Sequence, residues 1–172
     1  MPSPVGHTLA GCAVALALIP PGMPLAWEAW AVCLISANLA DADFIPGLVV
    51  GNPRALHRGP SHTILAAGLL AVTGASLWTW SPMPWLWRAG LIFLAYASHV
   101  GLDCLTPGRA IMIGWPFSSR RYQVGRPWFL GVTLGWVGHQ APMRGGPWHL
   151  LRAIGREIVL MTPGVAMIAL VR

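Results

Sequence analysis

Four pieces of this sequence carry side chains whose types and spacing suit metal chemistry. His99 and Asp103 stand four residues apart, which on a helix puts an imidazole and a carboxylate on one face, roughly 5–6 Å apart at Cβ. Asp41 and Asp43 stand two apart. On a regular helix they would diverge by about 200°, but past a helix end both can turn inward, one to ligate and the other to orient a His or take a second ion. The string HRGPSH places His57 and His62 on either side of a Gly-Pro turn that can bring them together. Within it, Arg58 offers a planar fork for a phosphate or carboxylate, and Ser61 is a candidate helix N-cap. His7 precedes the first apolar run. The sequence has three Asp and six His, and all three Asp and four of the His fall in these pieces.

That donor set points to Zn²⁺, Mn²⁺ or Fe rather than to the all-oxygen cages of Mg²⁺ or Ca²⁺. Seven candidate ligands, His7, Asp41, Asp43, His57, His62, His99 and Asp103, exceed one tetrahedral ion and suit two ions bridged by a carboxylate, with Asp103 the bridge candidate; the expected cofactor is one or two divalent ions. Two ions roughly 3.5–4 Å apart can activate water and steady both oxygens of a phosphoester displacement. The expected catalytic groups are Asp43, Arg58 and Asp103. His139 and His149 lie in a basic region and are not expected to ligate.

The elements that must position these groups are apolar. The 172 residues are 55% hydrophobic and 9% charged, which suits one domain (1–172) and argues against an ordinary soluble protein. The run from Thr63 to Trp87 holds no charged residue. It and the run from Trp85 to Leu105 are each long enough to span a bilayer, which takes roughly 20 apolar residues. Ile158 to Val171, extended back to Ala153, is a third candidate, and the shorter runs Thr8 to Ile19 and Leu25 to Leu39 need tilt or a thinned bilayer. The expected fold is therefore an all-α, multi-pass membrane bundle of four or five spans. Long helices are expected near 63–80 and 85–105, with a loop from Phe44 to Ser61.

Simple alternation of these spans puts every candidate ligand on one side. All 11 basic residues are Arg, and nine of them fall on that same side, so the positive-inside rule turns the site toward the cytoplasm of a bacterial-type inner membrane. Trp27, Trp30, Trp78, Trp80, Trp85 and Trp87 gather at the opposite turns, as an interfacial belt would. The Arg residues lie in loops between apolar segments and are not interleaved on a polar face, which argues against nucleic acid as a partner. The expected partners are the lipid bilayer and an amphiphilic or phosphate-bearing substrate. Cys12, Cys33 and Cys104 have no CxxC spacing and read as buried small side chains. The N-terminus does not read as a cleaved signal peptide. The segment 109–146 reads as a cytoplasmic cover, partly embedded around Trp128 to Val137.

The strings His7-Thr8, LADAD ending at Asp43, HRGPSHT from His57, HVGLDCLT from His99 and GWPFSSRR from Gly114, in this order, resemble the YdjM-like (LexA-binding) inner-membrane family. That resemblance covers roughly residues 5 to 122. It implies a multi-pass membrane protein with metal-dependent hydrolase activity. The early His, the Asp, the next His and the HxxxD pair are also faintly similar to zinc-dependent phospholipase C. The N-terminal Trp ligand and the later HxxxE of that family have no match here, which puts a third metal in doubt.

Three other functions use the same residues differently. An ion transporter or channel would line a path with Asp and His, but these candidates lie at one face and none at mid-depth. A regulatory membrane protein could hold a structural metal. A haem protein could use His62 and His99 as axial ligands but has no need of three carboxylates nearby.

Overall fold

The computed structural model describes residues 4–19, 27–49, 51–52, 57–105, 110–123 and 146–170. Among the described residues the regular structure is helical: α1 (Pro4–Leu18), α2 (Trp27–Leu39), α3 (Phe44–Val49), α4 (Ile64–Leu77), α5 (Trp85–Cys104) and α6 (Gly146–Leu170). A 3-10 turn, Ala40–Asp43, joins α2 to α3. Among these residues, extended backbone pairs in one place, an isolated antiparallel bridge between Ile111 and Tyr122.

The all-α expectation is met, and the two long helices fall close to their expected bounds. Two boundaries differ. The stretch after Asp43 continues as α3 instead of opening at once into a loop. Pro46 sits in the first turn of α3, where its missing N–H costs no helical bond. α6 begins at Gly146, well before Ala153, and runs through Pro163. The turn after Ile19, the stop sequence at Thr106, the expected embedded stretch at 128–137 and His139 lie outside the described residues.

Helix α5 is the centre of the bundle, packing against α1, α2 and α4, while α6 lies along α1. The contacts are made by small side chains. Ala15, Ala29, Cys33, Ala37, Ala67, Ala75 and Ala95 are at most 1% exposed, whereas Ile35, Leu69, Val72, Leu77 and Leu86 are all more than half exposed. Small residues inside let helix backbones approach, and large apolar side chains are left on the outside of the bundle. By length and composition, one described run, Trp27–Val49, is long and apolar enough to cross a membrane. α1 and α4, at 15 and 14 residues, fall short of the roughly 30 Å core.

Helices α1 and α2 approach closely at Gly11. A Cβ there would lie 2.9 Å from the Ala37 Cβ and 3.0 Å from the Cys33 carbonyl oxygen. Neither α1 nor α2 can yield locally, so Gly11→Val should destabilise the protein by about 1–3 kcal/mol, the usual cost of overpacking. Thermal unfolding of the detergent-solubilised protein would register this as a lowered midpoint, and an unchanged midpoint would contradict the packing.

The two ends of the bundle differ. At one end Trp78 donates through Nε1 to Glu28 (3.4 Å) and Arg88 donates to the Trp78 carbonyl. At the other, Ala40, Ala67, Tyr96, Val100 and Ile111 form an apolar floor. Ile64 donates its backbone N–H to Ile113, 3.1 Å away, so the segment after α5 closes over the start of α4. The metal-type residues gather above that floor.

Candidate metal centre

Four elements deliver the cluster. The 3-10 turn carries Asp41 and Asp43. The loop before α4 carries His57, Arg58 and His62, and α5 presents His99 and Asp103 from the face on which Tyr96 and Val100 also stand. α1 brings in His7. The loop is held at three points. Tyr96 donates through its hydroxyl to the Ser61 carbonyl (2.7 Å), Thr63 donates to the Pro60 carbonyl (2.9 Å), and the Thr63 hydroxyl accepts from the Ala66 N–H (3.0 Å). Thr63, rather than Ser61, is thus the N-cap of α4.

Donor atoms of Asp41, His62, His99 and Asp103 all lie within 4.8 Å of one another. His62 Nε2 is 3.3 Å from His99 Nε2, 3.6 Å from Asp41 Oδ1 and 3.4 Å from Asp103 Oδ2. His99 Nε2 is 3.4 Å from Asp41 Oδ1. These distances are long for hydrogen bonds. They match the edges of a tetrahedron about a zinc-type ion, whose bonds of about 2.0–2.2 Å separate the donors by roughly 3.3–3.6 Å.

The far side of each imidazole is fixed. His99 Nδ1 donates to the Ala37 carbonyl (2.7 Å), which leaves the lone pair on Nε2. His62 Nδ1 donates to the Ser61 hydroxyl (3.0 Å), which in turn donates to Asp43 Oδ2 (2.6 Å). Asp43 Oδ1 accepts from His57 Nδ1 at 3.0 Å. Such outer bonds set the tautomer and aim of metal-binding His residues. A second observation points to a cation. Asp41 Oδ1 and both nitrogens of His7 are buried and have no hydrogen-bond partner, and the His7 side chain is 0% exposed. Buried polar atoms without partners are rare and call for an explanation.

His7 stacks on His99 with ring centroids 3.7 Å apart, and its Nε2 lies 3.9 Å from Asp103 Oδ1, so it borders the four-donor cluster. Arg58 differs from its expected role. It is 3% exposed, and its Nε bonds to Asp103 Oδ2 at 3.1 Å, so its charge is turned inward onto a carboxylate and not out toward an incoming anion. It adopts φ 59°, a left-handed conformation that costs a non-glycine residue roughly 1–2 kcal/mol. Tyr96, Ser61 and the Ala37 carbonyl were not singled out from the sequence as supports for the His residues. Tyr96 precedes His99 by three and Asp103 by seven, a helical stripe that the sequence does contain, whereas a backbone carbonyl leaves no trace in residue type.

A family model described as YdjM inner membrane protein matches residues 1–171. The chain belongs to the YdjM family. Its strings at His7, Asp41, His57 and His99 are thus placed in a family of inner-membrane proteins, whereas nothing in these comparisons shows the likeness to zinc-dependent phospholipase C. No curated protein and no solved structure matches the chain.

In this protein of the YdjM family, burial works to keep His62 neutral. Asp103, Asp41 and Asp43 outweigh it and push the His62 pKa up to about 10. The imidazolium stands where a cation would sit. Its contribution to folding is fully present below the ordinary value of 6.5 and is lost as pH rises through about 10. A metal must displace that proton. Zinc uptake at pH 7 should therefore release about one proton from His62, a release that disappears above pH 10. Titration calorimetry in buffers of different ionisation heat measures it, and uptake without proton release at pH 7 would contradict the arrangement.

Proposed function

We propose that this protein is a membrane-embedded, metal-dependent hydrolase that cleaves an ester or phosphoester in an amphiphilic substrate. The observation that carries this reading is the facing pair of His62 and His99. Their Nε2 atoms stand 3.3 Å apart, their Nδ1 atoms are already engaged, and a carboxylate oxygen lies within 3.6 Å. Asp41, His62, His99 and Asp103 would hold a divalent ion, with zinc the best match to the donors and Mn or Fe the alternatives. When bound, such an ion supplies Lewis acidity and makes a coordinated water more acidic.

The chain's own residues then have distinct tasks. Asp43 accepts from His57 Nδ1, so the lone pair of His57 lies on Nε2, which is buried and has no hydrogen-bond partner. His57 is the proton acceptor in this reading, and Asp43 acts through it and through His62. α3, which follows Asp43 directly, exposes Phe44, Ile45, Leu48 and Val49, a surface suited to the apolar part of a substrate or to the bilayer. Exposed Ile35, Leu69, Val72 and Leu77 support a bundle of four or five spans in lipid. The exposed Arg120 and Arg121 on the candidate-site side support a cytoplasmic orientation.

The purified protein should cleave at least one member of a panel of aryl phosphodiesters, short-chain esters and phospholipids. Activity should disappear on chelation and return with zinc. Stoichiometric zinc with no turnover on any of the three classes would remove the hydrolase reading in favour of a structural metal.

A further inference from the structure

The metal-binding reading leaves open how many ions the centre takes, and Arg58 bears on that number. We propose that the centre holds a single divalent ion and that the Arg58 guanidinium occupies the place of a second cation. This inference rests on the metal-binding reading above.

Asp103 is the carboxylate best placed to bridge two ions. Its Oδ2 faces the donor cluster, 3.4 Å from His62 Nε2, and the same oxygen is bonded to Arg58 Nε at 3.1 Å. A guanidinium charge therefore already lies against the one carboxylate best placed to bridge two ions. In the other group of metal-type residues, Asp43, His57 and His62, the Asp43 carboxylate is already committed. Asp43 accepts from Ser61 at 2.6 Å and from His57 at 3.0 Å, which are ordinary hydrogen-bond lengths, shorter than the separations across the first cluster.

Charge leads to the same count. Asp41, Asp43 and Asp103 bring three negative charges into a largely buried space, and Arg58 returns one positive charge. With the His ligands neutral, as ligation requires, the remaining two negative charges equal one divalent ion. A second divalent ion would leave an excess of two positive charges in a low-dielectric site, a costly state. The left-handed backbone at Arg58 fits this role, because it aims a buried cation at one carboxylate.

The test uses the full-length detergent-solubilised protein, stripped of metal, reloaded with excess zinc and freed of unbound ion. Plasma mass spectrometry should find one zinc per chain. Two per chain would overturn the proposal but leave the metal centre standing, and none would remove both. A second measurement separates charge from support. Asp103→Asn alone leaves the Arg58 charge unbalanced and should weaken zinc binding on the order of 100-fold. Adding Arg58→Gln to it removes that repulsion and should restore roughly tenfold or more of the affinity. The Asn–Gln pair is neutral and polar, and Gln keeps most of the buried Arg58 stem. A double variant that binds zinc no better than Asp103→Asn would show that Arg58 only props Asp103, and would sink the proposal.

Discussion

Replacing His99 with alanine should abolish stoichiometric zinc binding and reduce hydrolysis to background. His99 joins three features of the site. Its Nε2 faces both His62 Nε2 and Asp41 Oδ1, its Nδ1 is tied to the Ala37 carbonyl on α2, and its ring stacks on His7 from α1. Alanine removes one donor of four, leaves the Asp41 carboxylate without its nearest imidazole, and opens a cavity where three helices meet. Cavity formation alone costs about 2–5 kcal/mol for a large buried side chain, so the alanine variant tests stability as well as ligation. His99→Gln separates the two. It fills most of the space and keeps a polar contact for Ala37 but supplies no imidazole lone pair. The expected result is a folded His99→Gln protein, judged by an unfolding midpoint near that of the wild type, with less than a tenth of the zinc after gel filtration. A His99→Gln protein that keeps full zinc would reject the four-donor centre.

The sequence showed the ligand types plainly and their partners much less so. HxxxD on an apolar run is legible because helical periodicity alone puts His99 and Asp103 on one face. α5 then buries both at 0% exposure. The Gly-Pro turn in HRGPSH was legible for a similar local reason. What residue type cannot report is direction. Asp41 and Asp43 look alike in sequence, yet the 3-10 turn sends Asp41 toward the His62–His99 pair and Asp43 toward Ser61 and His57. Arg58 read as an outward fork because loops are usually solvated. Its left-handed backbone and its bond to Asp103 are tertiary facts that no local propensity encodes. The apolar character of the chain was legible from composition. The inside-out packing, with alanine at the contacts and leucine outside, needed helix faces to be paired. The helix α3 was missed because Pro and Gly after Asp43 read as a loop, although Pro is tolerated in a first helical turn.

The division of labour between the two neighbouring carboxylates gives the second large effect. Asp43→Asn should keep zinc within a few fold of wild type while lowering hydrolysis about 10–100-fold, the usual scale for a group that orients a ligand or base. Asn can still accept one hydrogen bond, so Ser61 or His57 remains loosely held and the fold should survive. It cannot accept equally from both partners, so the His57 ring is less firmly aimed. The loss should therefore fall mainly on kcat. Asp41→Asn should behave differently. Its Oδ1 lies 3.4 and 3.6 Å from the two Nε2 atoms, so metal content itself should drop. Zinc content and kcat measured for the two variants distinguish these roles. If Asp43→Asn lost zinc while Asp41→Asn kept it, Asp43 would be the ligand and Asp41 the orienting group, and the assignment made from the 3-10 turn would be reversed.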